Sequence, residues 1–368
     1  MIAVEFRDIS KEYRGQSVLE GIDFAVESGT FTVVFGGPGC GKSVVLRLMT
    51  GLEKPTSGRV FMREVDVTNV APGERNIGYV PQMFALYPHF KVYDNIAYPL
   101  RLMGLPAQEV DPIVRRTAEM LRISPLLAKS PDQLSGGEKQ RVALARGIVK
   151  QTNIYVLDDP LTGLDFKLRE QLFDDLQTTQ QSLAATFVYT TSDPLEALML
   201  AEHIVVLDDG HVVEAGRLDD VYTNPQHVRT MELLGFPSAN LLPGSIQARA
   251  GQTWCKTDLV EFPVHAAESV QPFAEGQEVI VAVRPQMLKL NPEQQERLCI
   301  FPASVVLRED LGGELVVHLN ASDTPLVSVV RHDESHLIAD RDVLVGVEAP
   351  AFVLFAVGNG KRIGQGAE

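Results

Sequence analysis

The sequence predicts an α/β domain with a parallel sheet, followed by a small all-β domain. Up to about residue 208, short apolar runs alternate with helical patterns, which is typical of a parallel sheet with helices on both faces. After about residue 236, short apolar runs follow one another closely and helical periodicity is weak, which favours a small β-barrel or a pair of barrels. A chain of 368 residues is long enough for two domains, or three.

The elements of the first domain follow in chain order. Apolar, β-branched runs predict buried strands at 31–35, 77–80, 154–157, 186–190 and 204–207. Helical patterns occupy residues 44–49, 137–150 and 165–181. Residues 87–131 contain no good strand and are punctuated by prolines, so we expect a helical subdomain over about 87–150.

The second domain begins after a change of composition. Residues 234–243 contain two prolines and a glycine and are expected to form a linker, so we divide the chain into domains of residues 1–235 and 236–368. Strands are expected at 279–283, 303–306, 315–319, 326–330 and 343–347. Gly312 and Gly313 lie between two of these runs and predict a hairpin.

Charge, cysteine content and hydropathy exclude several classes of protein. The formal net charge is −15 and is spread over both halves, which argues against nucleic-acid binding because that needs clustered Lys and Arg. Three widely spaced cysteines form no disulfide framework and fit a reducing compartment. No run approaches the ~18 apolar residues of a membrane span. Residues 1–10 lack the pattern of a signal peptide, so we expect no secretion signal.

Residues 36–43 read GGPGCGKS and fit the pattern G-x-x-x-x-G-K-[ST] between a predicted strand and a predicted helix. Such glycines let backbone N–H groups face an anion at a helix N-terminus. Lys42 would reach the β- and γ-phosphates of a nucleotide, and the Ser43 hydroxyl would bind Mg²⁺. The predicted ATP-binding residues here are Gly36, Gly37, Pro38, Gly39, Cys40, Gly41, Lys42, Ser43 and Val44.

Cys40 lies inside this loop. We favour the interpretation that it is a small residue tolerated there. A helix N-terminus can nevertheless lower the pKa of a thiol, so we expect thiol-modifying reagents to inhibit nucleotide binding.

A second glycine-rich segment, Leu134-Ser135-Gly136-Gly137-Glu138, precedes the helix predicted at 137–150. A serine followed by two glycines at a helix N-terminus makes a second anion cradle. This segment resembles the LSGGQ signature of ABC ATPases. The resemblance implies a head-to-tail dimer, in which the signature of one chain completes the ATP site of the other.

Further motifs extend the resemblance. Residues 154–160, IYVLDDP, resemble Walker B, which implies that Asp158 holds Mg²⁺ directly or through water. Gln82 matches the Q-loop glutamine, which contacts Mg²⁺ and the attacking water and senses the membrane partner. Tyr13 matches the aromatic residue that stacks on adenine, and Asp165 matches the D-loop, which lies across the dimer. The implied fold is a P-loop NTPase of the ABC cassette type with a helical subdomain, followed by an OB-like (TOBE) regulatory β-domain.

The whole chain resembles the ATPase subunits of maltose-type carbohydrate importers, including ALYPH at 85–89 and VRP at 283–285. The resemblance implies ATP and Mg²⁺ as cofactors. The implied partners are a second ATPase subunit, two transmembrane permease subunits and, indirectly, an extracytoplasmic solute-binding protein, with no nucleic acid. It places the chain peripherally at the cytoplasmic face of the inner membrane. Related importers also carry polyamines, sulfate or iron, so the solute stays open.

Three residues depart from the family pattern. Asp159 stands where a glutamate normally polarises the attacking water, and a carboxylate misplaced by roughly an ångström can cost ~100-fold in rate. Ser192 stands where the family has a switch histidine, and a serine cannot carry charge. Val44 replaces a hydroxyl residue that donates to the α-phosphate. The catalytic residues expected for this chain's own site are Asp159, Gln82 and Ser192.

Three interpretations of these departures stay open. In the first, which we favour, the chain's own catalysis is weakened, its signature is sound, and it pairs in a heterodimer with a second ATPase subunit. In the second, the departures are harmless and the chain is a fully active homodimeric ATPase of an importer for another solute. In the third, the chain is a nucleotide-gated scaffold with little hydrolysis. A soluble ABC protein of repair or translation is disfavoured, because those usually carry two cassettes or a long coiled-coil insert.

Overall fold

The structure is a computed structural model that describes residues 1–249, 251–267, 272–292, 297–334 and 341–367. The chain divides into two compact units, Met1–Leu218 and Asp219–Glu368. The boundary expected after residue 235 therefore lies later in the chain than the boundary between these units. Within the described residues, no helix is long and apolar enough to cross a membrane.

A six-stranded sheet lies at the centre of the first unit, with the order β10-β9-β3-β8-β7-β6. Its strands are β3 (Phe31–Phe35), β6 (Gly78–Val80), β7 (Ile154–Asp158), β8 (Thr186–Thr191), β9 (His203–Asp208) and β10 (His211–Arg217). All neighbours pair in parallel except β9 and β10. Every residue of β3 and β7 is buried, as expected for strands covered on both faces. The five predicted strands are confirmed, and β10 adds an antiparallel edge.

An antiparallel sheet lies beside it, with the order β2-β1-β4-β5. Its strands are β1 (Ile2–Tyr13), β2 (Gln16–Glu27), β4 (Ser57–Met62) and β5 (Val65–Asp66). The sequence analysis did not identify this sheet. The pairing of β1 with β2 contains register shifts, and β1 lacks a simple alternation of buried and exposed positions. The last six residues of β2 do alternate, and that signal was missed.

The helices of the first unit confirm the predicted helical stretches, with ends shifted by a few residues. They are α1 (Lys42–Thr50), α2 (Val92–Leu102), α3 (Ala107–Met120), α4 (Gly136–Ile148), α5 (Phe166–Leu183) and α6 (Pro194–Leu200). The three helices α2, α3 and α4 pack together within the region expected to be helical.

The second unit begins with two short helices, α7 (Leu218–Thr223) and α8 (Val228–Leu233). A closed barrel has the strand order β11-β12-β13-β21-β20-β14. Its strands are β11 (Asn240–Arg249), β12 (Gln252–Thr257), β13 (Glu261–Ala266), β14 (Glu278–Val283), β20 (Val353–Ala356) and β21 (Arg362–Gly366). The linker expected at residues 234–243 was wrong from Asn240 onward, because Asn240 is the first residue of β11. This residue lies opposite Val283 in the pairing of β11 with β14.

Among the described residues, the rest of the second unit forms a five-stranded sheet with the order β15-β19-β16-β17-β18, which does not close into a second barrel. Its strands are β15 (Lys289–Leu290), β16 (Leu298–Asp310), β17 (Glu314–Ala321), β18 (Thr324–Arg331) and β19 (Asp342–Glu348). The predicted hairpin is confirmed between β16 and β17, where Gly312 has a φ of +92°. One apolar core joins the barrel to this sheet and includes Phe262, Val317 and Val345. The expectation of an all-β second domain is confirmed.

Candidate functional site

The glycine-rich loop connects β3 to α1, as its sequence predicts. Gly39 and Gly41 have φ values of +81° and +107°, which residues with side chains rarely adopt. A Cβ atom on Gly41 would lie 2.6 Å from Leu19, and one on Gly36 would lie 2.0 Å from the carbonyl oxygen of Leu207. Conformation and space therefore both require glycine in this loop.

Lys42 is the first residue of α1, and its side chain bends back over the loop. Its Nζ donates hydrogen bonds to the carbonyl oxygens of Gly36 at 2.7 Å and Gly37 at 2.8 Å. The ammonium group is thus held over the concave side of a loop whose backbone can bind an anion. This is the position that the prediction of a phosphate-contacting lysine requires.

Ser43 and Asp158 meet although they lie far apart in sequence. Ser43 Oγ donates to Asp158 Oδ1 at 2.9 Å, and Thr190 Oγ1 donates to the same oxygen at 3.0 Å. Tyr79 Oη lies 3.5 Å from Asp158 Oδ2. Burial and the adjacent Asp158 charge raise the pKa of Tyr79 to about 12, so its hydroxyl stays protonated and faces the carboxylate as a donor.

Asp159 follows the end of β7 and has a left-handed φ of +43°. Its backbone N–H donates to Thr190 Oγ1 at 2.9 Å, and its carboxylate oxygen Oδ2 accepts from Gln82 Nε2 at 3.2 Å. The two residues predicted to act on the attacking water, Gln82 and Asp159, are therefore in direct contact.

One pocket collects most of the predicted catalytic and phosphate-binding residues. Its lining includes Pro38, Gly39, Gly41, Lys42, Ser43, Val44, Gln82, Asp158, Asp159 and Ser192, together with Val18. Ser192 is exposed at the end of β8, directly before Asp193, the N-cap of α6. The side chain of Val44 is almost completely buried. The structure thus brings the three departing positions to the same pocket, while their roles stay predictions.

The donor atoms of this pocket fit a magnesium ion. A serine hydroxyl and an aspartate carboxylate are oxygen donors, and Mg²⁺ is usually held by one or two protein oxygens together with phosphate oxygens and water. Among the described residues, no group of three or more His, Cys, Asp and Glu side chains could hold a metal ion by itself. Ser43 and Asp158 are therefore suited to an ion that arrives with a nucleotide.

Cys40 is buried, and burial raises the pKa of its thiol despite the opposing charge of Lys42. The expectation that the helix N-terminus lowers this pKa was wrong, because the loss of solvation outweighs the favourable neighbours. Inhibition of nucleotide binding by thiol reagents stays a prediction, and the buried thiol should react slowly.

Tyr13 ends β1 and does not line this pocket. Its hydroxyl donates to Glu53, and Lys11 Nζ lies 4.9 Å from the centre of its ring. Glu53 also pairs with Arg47 Nε at 2.7 Å. The ring is 38% exposed and belongs to a charged surface cluster, so adenine stacking by Tyr13 stays a prediction.

The signature-like segment lies at the start of α4. Ser135 Oγ accepts from the N–H of Glu138 at 3.3 Å, and the Glu138 carboxylate accepts from the N–H of Ser135 at 2.8 Å. This capping box fixes the helix start, and its hydrogen bonds hold the pKa of Glu138 below its usual value. Leu134 is buried, whereas Ser135 and Gly136 are exposed and do not line the pocket. The exposed serine and glycine are available to a partner.

Two glycines of this segment have different surroundings. A Cβ atom on Gly136 would meet nothing within 4 Å, whereas one on Gly137 would lie 2.1 Å from the side chain of Leu168 on α5. Asp165 caps α5, because its Oδ1 accepts from the N–H of Leu168 at 3.0 Å. Gly137 and Asp165 are thus linked to the same residue of α5.

Sequence reasoning missed three residues beside the predicted ones. Thr190 and Tyr79 lie in strands that read as apolar. Thr190 lies opposite Asp158 in the register of β7 and β8, and the hydroxyl of Tyr79 reaches Asp158 from β6. Arg146 on α4 donates to the carbonyl oxygens of Ala85 at 2.6 Å and Phe84 at 3.0 Å, shortly after Gln82. It connects the helix that begins at the signature to the Q-loop segment.

A glycine-rich loop between a buried strand and a helix, facing carboxylates at the end of a parallel strand, defines a P-loop nucleotide-binding domain. A family profile described as ABC transporter matches residues 19–162. The chain belongs to the family of ABC transporter ATP-binding proteins.

Curated relatives match almost the whole chain. The sn-glycerol-3-phosphate import ATP-binding protein UgpC of Yersinia pseudotuberculosis is 33% identical over 335 residues, covering 91% of this chain and 92% of the relative. The sulfoquinovosyl glycerol transport ATP-binding protein SmoE of Agrobacterium fabrum is 35% identical, covering 89% and 90%. An ABC transporter ATP-binding protein of Bacillus subtilis, YurJ, is 34% identical, covering 89% and 90%.

Solved structures match the first part of the chain. The ATP-binding cassette MJ0796, in a dimeric state bound to ADP and Pi, has a TM-score of 0.54 at 28% identity and covers 58% of this chain and 98% of its own. The cbiO1 protein of Clostridium perfringens has a TM-score of 0.57 at 26% identity, covering 61% and 91%. The predicted ABC ATPase fold is therefore confirmed.

Proposed function

We propose that this chain is the ATP-binding, ATP-hydrolysing subunit of an ABC importer for a carbohydrate or a related solute. The observation that carries the proposal is the single pocket that gathers Lys42, Ser43, Gln82, Asp158 and Asp159. The names of UgpC and SmoE, an import and a transport ATP-binding protein, support the importer and the class of solute.

Each residue of the pocket has a task in this proposal. The backbone of residues 36–43 and Lys42 bind the phosphates of ATP. Ser43 and Asp158 hold Mg²⁺, directly or through water, and the ion neutralises phosphate charge when it is bound. Gln82 and Asp159 orient the attacking water, and Ser192 offers one hydrogen bond at the edge of the pocket.

The remaining predicted residues act away from the phosphates. Tyr13 stacks on adenine after its contact with Glu53 is released, and Val44 lies beside the α-phosphate without donating to it. Residues 134–138 and Asp165 contact the nucleotide site of a second ATPase subunit. The exposed Ser135 and Gly136 and the intact capping box support this donated role.

We further propose that the chain's own site hydrolyses ATP slowly and that it pairs with a different ATPase subunit. The short carboxylate of Asp159 and the uncharged side chain of Ser192 support the first part, because both line the pocket where a longer acid and a histidine are expected. The intact signature segment, residues 134–138, supports the pairing with a different ATPase subunit, because it would complete an active site on that partner.

Two transmembrane permease subunits and an extracytoplasmic solute-binding protein complete the proposed importer, at the cytoplasmic face of the inner membrane. Large apolar side chains near the Q-loop and at the end of α2 support a docking surface for a permease. Met83 is 76% exposed, Leu102 is 71% exposed and Met103 is 51% exposed. The acidic net charge of −15 supports the absence of nucleic acid among the partners.

The experiment that tests the proposal measures ATP binding and turnover of the purified chain. We expect it to bind MgATP and to hydrolyse it slowly, and the Asp159→Asn variant to bind equally well. Brisk hydrolysis by the isolated chain that Asp159→Asn abolishes would contradict the weakened site and favour a homodimeric ATPase. A tagged chain should also co-purify with permease subunits from detergent-solubilised membranes, and its recovery without them would contradict the importer.

A further inference from the structure

Thr190 lies near the end of β8, directly opposite Asp158 in the parallel pairing with β7. Its side chain is completely buried. Its Oγ1 lies 3.0 Å from Asp158 Oδ1 and 2.9 Å from the backbone N of Asp159. One hydroxyl group therefore touches both acidic residues at the end of β7.

The hydroxyl group accepts a hydrogen bond in one contact and donates one in the other. A threonine hydroxyl has one proton to donate and two lone pairs to accept. The backbone N–H of Asp159 can only donate, so Thr190 accepts from it and keeps its proton for another group. The carbonyl oxygen of Leu157 lies 3.5 Å away, so the proton goes to the nearer, charged carboxylate of Asp158.

The backbone of Asp159 needs such support. A φ of +43° is uncommon for a residue with a side chain, although aspartate adopts it more readily than most, and contacts with its surroundings favour it. Thr190 fixes the N–H of this residue, and Gln82 Nε2 contacts its carboxylate at 3.2 Å. A side chain as short as aspartate also depends more on its backbone position than glutamate does, because it has one fewer bond with which to adjust.

We propose that Thr190 is a positioning residue for ATP hydrolysis, an inference that rests on the proposed function. It orients the Asp158 carboxylate beside Ser43 and fixes the peptide that presents Asp159 to the attacking water. One hydroxyl group, which touches no substrate, thereby fixes the positions of both the magnesium-binding carboxylate of Asp158 and the water-directing carboxylate of Asp159.

The test compares Thr190→Val, which keeps the shape and removes the hydroxyl, with Thr190→Ser, which keeps the hydroxyl. Thr186→Val is the matched control on the same strand. Thr186 is also buried, and its Oγ1 also accepts from a backbone N–H, that of Gly29 at 2.9 Å. Because it begins β8, at the opposite end from Thr190, its loss should affect stability without affecting the site.

Steady-state ATP hydrolysis and binding of the non-hydrolysable analogue AMP-PNP are measured for each variant, with Mg²⁺ and with EDTA. We expect Thr190→Val to lower kcat by about 10–100-fold, the range typical of lost outer-shell partners, and to raise the KM for MgATP because Mg²⁺-dependent binding weakens. The gain in AMP-PNP affinity that Mg²⁺ produces should fall by a similar factor, while the affinity in EDTA stays unchanged. Thr190→Ser should behave like the wild type.

Equal kcat and equal Mg²⁺ dependence in Thr190→Val and Thr186→Val would overturn the proposal, as would a failure of Thr190→Ser to restore both. If Thr190→Val does not fold, the pair Thr190→Ser and Thr190→Ala repeats the comparison at a smaller side-chain volume. A wild-type chain that binds AMP-PNP without hydrolysing ATP would count against the proposed function, and the Mg²⁺ dependence of binding would still decide the role of Thr190.

Discussion

Ser43 Oγ donates a hydrogen bond to Asp158 Oδ1 at 2.9 Å, and this contact joins residues that are 115 positions apart in the sequence. Ser43 lies in the first turn of α1, after β3, whereas Asp158 ends β7. The strands β3 and β7 are not neighbours, because β8 lies between them in the sheet. The fold therefore brings together two oxygen atoms that would hold Mg²⁺.

The first prediction concerns this contact. Ser43→Ala removes one oxygen donor and leaves Asp158 with the hydroxyl groups of Thr190 and Tyr79. We expect the Mg²⁺-dependent part of ATP affinity to fall at least about 10-fold, because the protein loses one of the oxygen atoms that would hold the ion. Ser43→Thr, which keeps the hydroxyl, should bind like the wild type. Calorimetric titrations with ATP in Mg²⁺ and in EDTA check this, and a loss of equal size in EDTA would count against it.

The second prediction concerns the two glycines of the signature-like segment. Gly137→Ala places a methyl group 2.1 Å from the side chain of Leu168, so this side chain or one of the two helices must shift, and we expect a loss of about 1–3 kcal/mol in the free energy of unfolding. Gly136→Ala meets open space and is the matched control, expected to change stability by less than about 0.5 kcal/mol. Urea unfolding of both variants measures the difference.

A double mutant identifies the source of this effect. In a Leu168→Ala background the methyl group of Gly137→Ala no longer meets a side chain, so its cost should largely disappear. An unchanged cost would show that the destabilisation comes from the backbone and not from contact with Leu168.

The motifs formed by consecutive residues were predictable from the sequence. The conformation of the loop before Lys42 follows from its glycines, and the capped start of α4 follows from Ser135 and Glu138. These features depend on interactions between near neighbours in the chain, which a sequence pattern records directly.

The missed features depend on strand register and on distant pairing. Thr190 lies in an apolar run, and its contact with Asp158 exists only because β7 and β8 align these two residues. Pro243 reads as a linker residue, yet it lies within β11 opposite Ile280. At this position a proline loses only one backbone hydrogen bond, because its nitrogen carries no hydrogen to donate. No local pattern distinguishes these cases from a core threonine or a loop proline.

The third prediction concerns the buried ion pair between Arg141 on α4 and Asp175 on α5. Arg141 also donates to the carbonyl oxygen of Leu121 at 3.2 Å. Asp175→Asn leaves the buried guanidinium without a counter-charge, and we expect a loss of about 3–5 kcal/mol in the free energy of unfolding.

The control for this ion pair is exposed. Asp111→Asn removes the partner of Arg115 on α3, a pair of side chains in solvent at 2.8 Å, and should change the melting temperature very little. Thermal unfolding of both variants makes the comparison. Similar shifts in the two melting temperatures would mean that burial does not strengthen the Arg141 pair.

The fourth prediction concerns pH. Burial raises the pKa of Glu196 above its ordinary value of 4.5, and the hydroxyl of Tyr189 donates to it at 2.7 Å. Because the folded state holds this proton more tightly than the unfolded state, stability is lost as pH rises from about 4.5 through the folded pKa. Glu196→Gln keeps an acceptor for Tyr189 and removes the charge. It should therefore be more stable than the wild type at pH 8.

The difference between the two proteins should shrink as the pH falls below about 4.5, where Glu196 becomes protonated in both the folded and the unfolded states. Urea unfolding at a series of pH values measures it. A constant difference at every pH would mean that the substitution acts through packing and not through the proton.

The last prediction concerns the two departures at the edge of the pocket. Asp159→Glu lengthens the carboxylate by one methylene group, and Ser192→His supplies a side chain that can carry charge. If the short side chains of Asp159 and Ser192 limit hydrolysis at the chain's own site, we expect the double variant to raise kcat by about 100-fold. This factor is the cost of misplacing a catalytic group by roughly an ångström. The affinity for ATP should stay unchanged, because neither residue belongs to the loop that binds the phosphates.

Single-turnover hydrolysis by the isolated chain measures the effect, with Asp159→Asn as the loss-of-function control. Wild-type and double-variant chains that hydrolyse ATP at the same rate would show that Asp159 and Ser192 are harmless variants.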